Sequence, residues 1–266
     1  MKPGLAGMRL PSVRVGCCGF PVSRSRYFRS FASIEVDSSF YQPPRPATAL
    51  RWRAEAPEGF QFMVKAWQLI THPPTSPTYR RLGADRPARL DRCGHFRQSP
   101  ETRWAWERTL SLAQSLKAQM ILFQTPPTFR PDADKIRDLY SFFEKAERGR
   151  FLLAWEPRGP EWTGKIVARV LADLKLVHAV DPLAGEPLGR IGYFRLHGAY
   201  KDGRVVYRHK YSDQELAKLQ RLAVFQPTYV FFNNSEMFND ASRFNMLVSE
   251  VAVVARTPES RNNRNL

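Results

Sequence analysis

Several residues able to do acid–base or anion chemistry stand at the ends of short apolar runs: Glu35, Lys65, Gln124, Glu156, Arg158, Asp181, Arg195, His197 and Asn233. Two carboxylates beside a histidine suit general acid–base work, with Glu156 or Glu35 as base and His197 as acid. Glu35, His72, Glu156, Asp181 and His197 could equally ligate a divalent metal, although neither HxH nor HExxH spacing occurs. The guanidinium forks of Arg158 and Arg195, with Lys65, suit a phosphate or carboxylate ligand. Gln124, Asn233 and Asn234 add neutral hydrogen-bonding groups for the same ligand.

The elements that must position these groups repeat eight times. The runs cover 13–20, 34–40, 60–67, 120–127, 151–158, 175–181, 192–198 and 228–234. Most gaps between them carry helical signals, such as the N-cap and proline of Ser99-Pro100-Glu101 and the capping box of Ser212-Asp213-Gln214-Glu215. Eightfold strand–helix alternation predicts a parallel (β/α)8 barrel, whose C-terminal strand ends form one mouth. One unit is deficient, because PLAGEPLGR (182–190) is too short and too broken by Pro and Gly for a full sixth helix. Alternation along each strand then assigns direction. Phe194 and Leu196 face the helices, so Arg195 and His197 face inward. Leu153 and Trp155 do the same for Glu156 and Arg158, Phe62 and Val64 for Lys65, Ile121 and Phe123 for Gln124, and Ile34 and Val36 for Glu35 and Asp37. Without ligand, such a set would pair into a salt-bridge network of Glu35 and Glu156 with Lys65, Arg158 and Arg195.

The chain has 266 residues and a net charge of +16, from 41 Lys plus Arg against 25 Asp plus Glu. The domain reading is a leader over 1–12, one barrel over 13–256 and a polar tail over 257–266. The long connection 71–100 after the third strand carries Arg80, Arg81, Arg86, Arg89, Arg92 and Arg97. It reads as a basic lid for a nucleic-acid backbone, anchored by Tyr79, Leu82, Leu90 and Phe96. An Arg-rich but otherwise ordinary surface would give the same charge. No apolar run reaches the roughly 20 residues of a membrane span, and the start lacks the pattern of a secretory signal. Three cysteines, Cys17, Cys18 and Cys93, do not make a disulfide framework, which suits a reducing cytoplasm.

The runs VGCCGF, IEVDSSFYQPP, FQFMVKAWQLITH, LFQTPPTF, WEPRGPEW, YFRLHG, YRHKYSDQEL and FNN together resemble the domain-of-unknown-function 72 (YecE-like) family, over essentially the whole chain. The resemblance implies a TIM-type barrel with a polar pocket at the strand ends. It places that family's pattern on Glu35, Phe40, Tyr41, Lys65, Thr71, His72, Gln124, Glu156, Arg158, Trp162, Asp181, Arg195, His197, Gly198, Tyr211, Asn233 and Asn234. One departure is Asp37, where the family carries Asn more often. The barrel type resembles metal-dependent endonucleases acting at apurinic sites and xylose-isomerase-like enzymes, an analogy of fold. Residues and charge together favour hydrolysis of phosphate esters by a nuclease-like phosphodiesterase, with or without a metal. Nucleic-acid or anion binding without turnover, and a sugar or sugar-phosphate isomerase or lyase, are the other readings.

Overall fold

Residues in each central strand alternate between a wide apolar face and a narrow, partly polar one, the pattern a closed parallel sheet requires. In the computed structural model, which describes residues 13–202, 204–224 and 226–254, the strands are β1 Val13–Cys17, β2 Ser33–Val36, β3 Gln61–Lys65, β4 Met120–Gln124, β5 Leu152–Glu156, β6 Val177–Val180 and β7 Gly192–Leu196. A small hairpin of β8 Ala199–Lys201 and β9 Arg204–Val206 precedes the last barrel strand, β10 Thr228–Phe232. The leader 1–12 and the tail 257–266 lie outside the described residues.

Eight strands pair in parallel in the order β1-β10-β7-β6-β5-β4-β3-β2. The ring meets itself at the mouth end, where Cys18 bridges Glu35 and the Gly19 N–H donates to the Glu35 carbonyl at 2.8 Å. The helices are α1 Arg24–Ser30, α2 Pro46–Glu55, α3 Gln68–Thr71, α4 Pro100–Ser115, α5 Ala133–Lys145, α6 Gly164–Asp173, α7 Asp213–Ala223 and α8 Met237–Val254. No helix joins β6 to β7, as the Pro/Gly-broken segment predicts. Ser99 accepts from the Thr102 N–H at 3.1 Å, and Ser212 and Glu215 form the full capping box. None of the described helices is long and apolar enough to cross a membrane.

Two apolar layers hold the ring. The outer one sets Phe62, Val64, Ile121, Phe123, Leu153, Trp155, Phe194, Leu196, Val230 and Phe232 against the helices, all buried. Each such side chain contributes roughly 1.5–3 kcal/mol. The inner plug consists of Met63, Met120, Leu122, Ala154, Ala179, Tyr193 and Phe231. It fills the barrel below the mouth, so the polar ends above it form a floored cup rather than a pore.

Candidate active site

Arg195 is the centre of that cup. It projects from β7 with no exposed surface, and its Nε and Nη2 donate to Glu35 Oε2 and Oε1 at 2.9 and 2.6 Å. Its Nη1 donates to Glu156 Oε2 at 2.5 Å and reaches Gln124 Oε1 at 3.4 Å, while Nη2 also approaches Asp37 Oδ1 at 3.3 Å. Tyr193, one turn of the pleat below, donates its hydroxyl to Glu35 Oε2 at 2.8 Å. A guanidinium has five N–H donors, and here every nitrogen is already met by protein acceptors. Arg195 thus locks Glu35 of β2 to Glu156 of β5 across the barrel. A ligand would have to displace a carboxylate to reach this guanidinium.

Arg158 is the cation left facing the cavity. Its Nε and Nη2 donate to Glu156 Oε1 at 3.0 and 2.6 Å, and Nη2 lies 2.8 Å from His197 Nε2. Its Nη1 has no hydrogen-bond partner among the described residues, and the side chain is 19% exposed. Burial alone would raise the Glu156 carboxyl, but Arg158, Arg195 and His197 outweigh it and hold the group well below its usual range. Burial pushes His197 down to about 4, so its ring is neutral at pH 7. Its Nε2 lies 3.1 Å from Glu156 Oε1, a carboxylate that can only accept, and 2.8 Å from Arg158 Nη2. The Asn233 Nδ2 amide donates to Nδ1 at 3.2 Å, which leaves the ring proton on Nε2, facing Glu156.

Lys65 donates to Asp37 Oδ1 at 2.8 Å, with its ammonium 4.2 Å from the Phe40 ring centre. His72 is buried beside them, sharing a 2.8 Å hydrogen bond with Thr71 and lying edge-on to Phe40. Burial, then Lys65, pushes it down to about 3. Asp181, just past β6, behaves differently. Its Oδ1 accepts from the Leu183 N–H at 3.0 Å and the His197 backbone N–H also faces the carboxyl, whereas Oδ2 is buried with no hydrogen-bond partner among the described residues. Burial pushes this carboxyl up to about 6. It shares a cavity of about 880 Å³ with Glu156, Arg158, His178 and Tyr200, lined also by Ala184, Gly185 and Leu188 of the helix-free connection from β6 to β7.

Asn234 does not join the cup. It is buried on the outward side, donating to Asp240 Oδ2 and the His209 carbonyl at 2.7 Å each, and so ties the end of β10 to α8. The arginine-rich connection is a side wall rather than a lid. Arg81 stacks 3.4 Å over the Tyr41 ring at the cup's edge, and the Gly83 N–H donates to Gln42 Oε1 at 3.0 Å. Arg89 pairs with Asp91 at 2.9 Å, Arg92 with Glu101 at 3.7 Å, and Arg97 with the Asp91 carbonyl. Phe96, packed among Phe123, Phe129, Phe142 and Phe143, pulls that half of the connection outward against the helix layer. Arg80 and Arg86 are exposed and make no ion pair among the described residues. Missing from the sequence reading were Tyr193, which supports Glu35, and the hairpin β8–β9, whose Tyr200 and Val205 line the cavity.

The metal reading fits poorly. Among the described residues, no three His, Cys, Asp or Glu side chains come together as a ligand set. Glu35 and Glu156 already accept from Arg195, and a divalent ion there would face Lys65, Arg158 and Arg195 at close range. The thiols also offer little: burial pushes Cys17 up to about 12, Cys93 up to about 11 and Cys18 well above the ordinary range.

A family model described as "Protein of unknown function DUF72" matches residues 23–263. The chain belongs to DUF72. A relative, the UPF0759 protein YunF of Bacillus subtilis (strain 168), is 27% identical over 251 residues, covering 79% of each chain. The crystal structure of a DUF72 protein from Enterococcus faecalis V583 superposes with a TM-score of 0.66 at 20% identity, covering 92% of this chain and 98% of that one. Two barrels outside DUF72 share the fold alone. A xylose isomerase domain containing protein of Salmonella typhimurium LT2 gives a TM-score of 0.56 at 10% identity, over 88% of this chain and 93% of that one. Endonuclease IV of Thermus thermophilus gives 0.51 at 13%, over 91% and 99%.

Proposed function

We propose that this DUF72 barrel hydrolyses phosphate esters by general acid–base chemistry, its natural substrate being a phosphodiester of nucleic acid. The observation that carries the reading is the unsatisfied Oδ2 of Asp181, buried in the same cavity as the outward-facing guanidinium of Arg158. A buried carboxylate oxygen without a partner is costly unless a ligand or water completes it. A carboxyl near 6 is mostly ionised at neutral pH yet basic enough to take a proton from an attacking water. The free edge of Arg158 is suited to a phosphoryl oxygen as charge develops on it, and Glu156, held ionised, fixes that guanidinium in place. The opposed titration of two carboxyls in one cavity, Glu156 down and Asp181 up, is the usual mark of divided acid–base roles. Endonuclease IV, among the barrels of similar fold, lends the phosphodiester class its name and nothing more.

The test is turnover of an aryl phosphodiester, oligonucleotides and phosphosugars by the parent and by Asp181→Asn, with and without a chelator. The parent is expected to cleave a phosphodiester, with kcat rising as pH passes through about 6 and then levelling. Asp181→Asn should lose roughly 100-fold or more, within the range of a removed general base. Turnover confined to phosphosugars would move the site to the isomerase or lyase class. No turnover of any class, with nucleic-acid binding intact, would make the protein a binder.

A further inference from the structure

The hairpin β8–β9 stands on the lip of the cup, and Gly198 puts it there. That residue has φ +110, and a Cβ on it would lie 2.3 Å from the Val206 carbonyl oxygen, so the chain folds back tightly on leaving β7. Its N–H donates to the Tyr211 hydroxyl at 2.8 Å, which in turn donates to the Gly198 carbonyl. The hairpin and the residue after it expose Tyr200, Val206 and Tyr207, with the two tyrosines 46% and 50% accessible. Both rings sit at the site: Tyr200 lines the cavity of Asp181 and Arg158, and the Tyr207 ring is edge-on to the His197 ring at 6.3 Å.

Charge surrounds these rings. Lys201, Arg204, Arg208 and Lys210 are all exposed, with Asp202 the one acid between them, and none of the four cations makes an ion pair among the described residues. Inside the cup the formal charges nearly cancel, with Glu35, Asp37 and Glu156 set against Lys65, Arg158 and Arg195. Next to the cup, uncompensated positive charge therefore stands on the aromatic lip. Exposed aromatic faces interleaved with free cations bind unpaired bases by stacking while the cations follow the backbone. In a duplex the base faces are already stacked and out of reach.

We infer that Tyr200 and Tyr207 are a base-stacking platform, that Lys201, Arg204 and Arg208 hold the adjoining phosphates, and that the nucleic acid admitted to the cup is single-stranded. The inference rests on the phosphodiester reading of the same cavity and narrows it to one substrate class.

The experiment measures binding of a fluorescein-labelled oligothymidylate, and of its duplex with oligodeoxyadenylate, by anisotropy over a range of salt. Turnover of an aryl phosphodiester, which carries no base, is followed separately in the parent. The parent should bind the single strand at least about tenfold more tightly than the duplex. The Tyr200→Ala/Tyr207→Ala double variant, its fold checked by circular dichroism, should lose roughly 10- to 100-fold of single-strand affinity with an unchanged salt slope. Tyr200→Trp/Tyr207→Trp should keep it, because the role is stacking and not the hydroxyl. Lys201→Ala/Arg204→Ala/Arg208→Ala should flatten the log–log salt slope by about 0.7 for each phosphate no longer neutralised. Duplex preference in the parent, or a double alanine variant that binds like the parent, overturns the inference; aryl phosphodiester turnover in the parent then leaves the phosphodiester reading standing. Loss of both nucleic-acid binding and that turnover in the parent defeats the two together.

Discussion

Arg195 shows how one residue can serve a site without touching its ligand. Its charge is fully buried and bound by Glu35 and Glu156, so removing it strands two carboxylates rather than merely deleting a contact. Breaking a buried pair from one side costs about 3–5 kcal/mol. Arg195→Ala is therefore expected to lower the unfolding free energy by that order in denaturant titration, with ligand affinity falling only as a consequence. A folded Arg195→Ala of parental stability that had lost ligand would return the residue to the binding set. Asp181 has the opposite sign. Its folded-state value of about 6 lies above the roughly 3.9 of an unfolded Asp. The native state then holds the extra proton between those values, and stability declines as pH rises from about 4 to about 6. Asp181→Asn should be more stable than the parent at pH 7, by up to about 2 kcal/mol, and no more stable at pH 4. Equal stability at both values would mean that the carboxyl is not desolvated.

At the level of elements, the strands were legible because alternation is a strong signal when both faces are read. Phe194 and Leu196 outward sent Arg195 and His197 inward, and the same parity separates Asn233, which meets His197, from Asn234, which meets Asp240. Placing both asparagines on the ligand overlooks that rule. The lack of a helix between β6 and β7 was equally visible in the Pro/Gly content of that segment. The hairpin was not, because three-residue strands reading AYK and RVV carry too little period to register. The direction of the long connection depends on where Phe96 finds its aromatic pocket, a tertiary choice that the arginines do not encode. That connection is also pinned by Gly94, whose φ is +86 and whose added Cβ would lie 2.3 Å from the His72 carbonyl oxygen. Gly94→Ala should cost more than about 1–2 kcal/mol from the left-handed backbone alone, with the clash adding to it. The measurement is thermal unfolding combined with the chemical shifts of the His72 ring; an unmoved ring and unchanged stability would show that the wall gives way there without cost.

The whole molecule joins a net charge of +16 to an interior that keeps its histidines neutral. Burial, the largest cause for each, pushes His72 down to about 3 and His95, His178 and His197 down to about 4. An unfolded histidine titrates near 6.5, about its ordinary value. Between that value and the folded ones the unfolded chain binds more protons, so stability is lost as pH falls from about 6.5 toward 4. Asp181 opposes this with a single group, and the growing positive charge of the surface reinforces it through self-repulsion. The two contributions separate by salt, which screens exposed charges and leaves buried ones largely untouched. Added salt should restore part of the acid loss while the proton-linked slope persists. His178 isolates one proton, because its Nδ1 accepts from the Leu188 N–H at 3.2 Å and a glutamine oxygen can replace that acceptor. Between pH 6 and 5, His178→Gln is expected to reduce the pH slope of unfolding free energy by up to about 1.4 kcal/mol per pH unit, the value of one proton. A slope unchanged in His178→Gln would place His178 in water, and with it the opening beside the helix-free connection from β6 to β7.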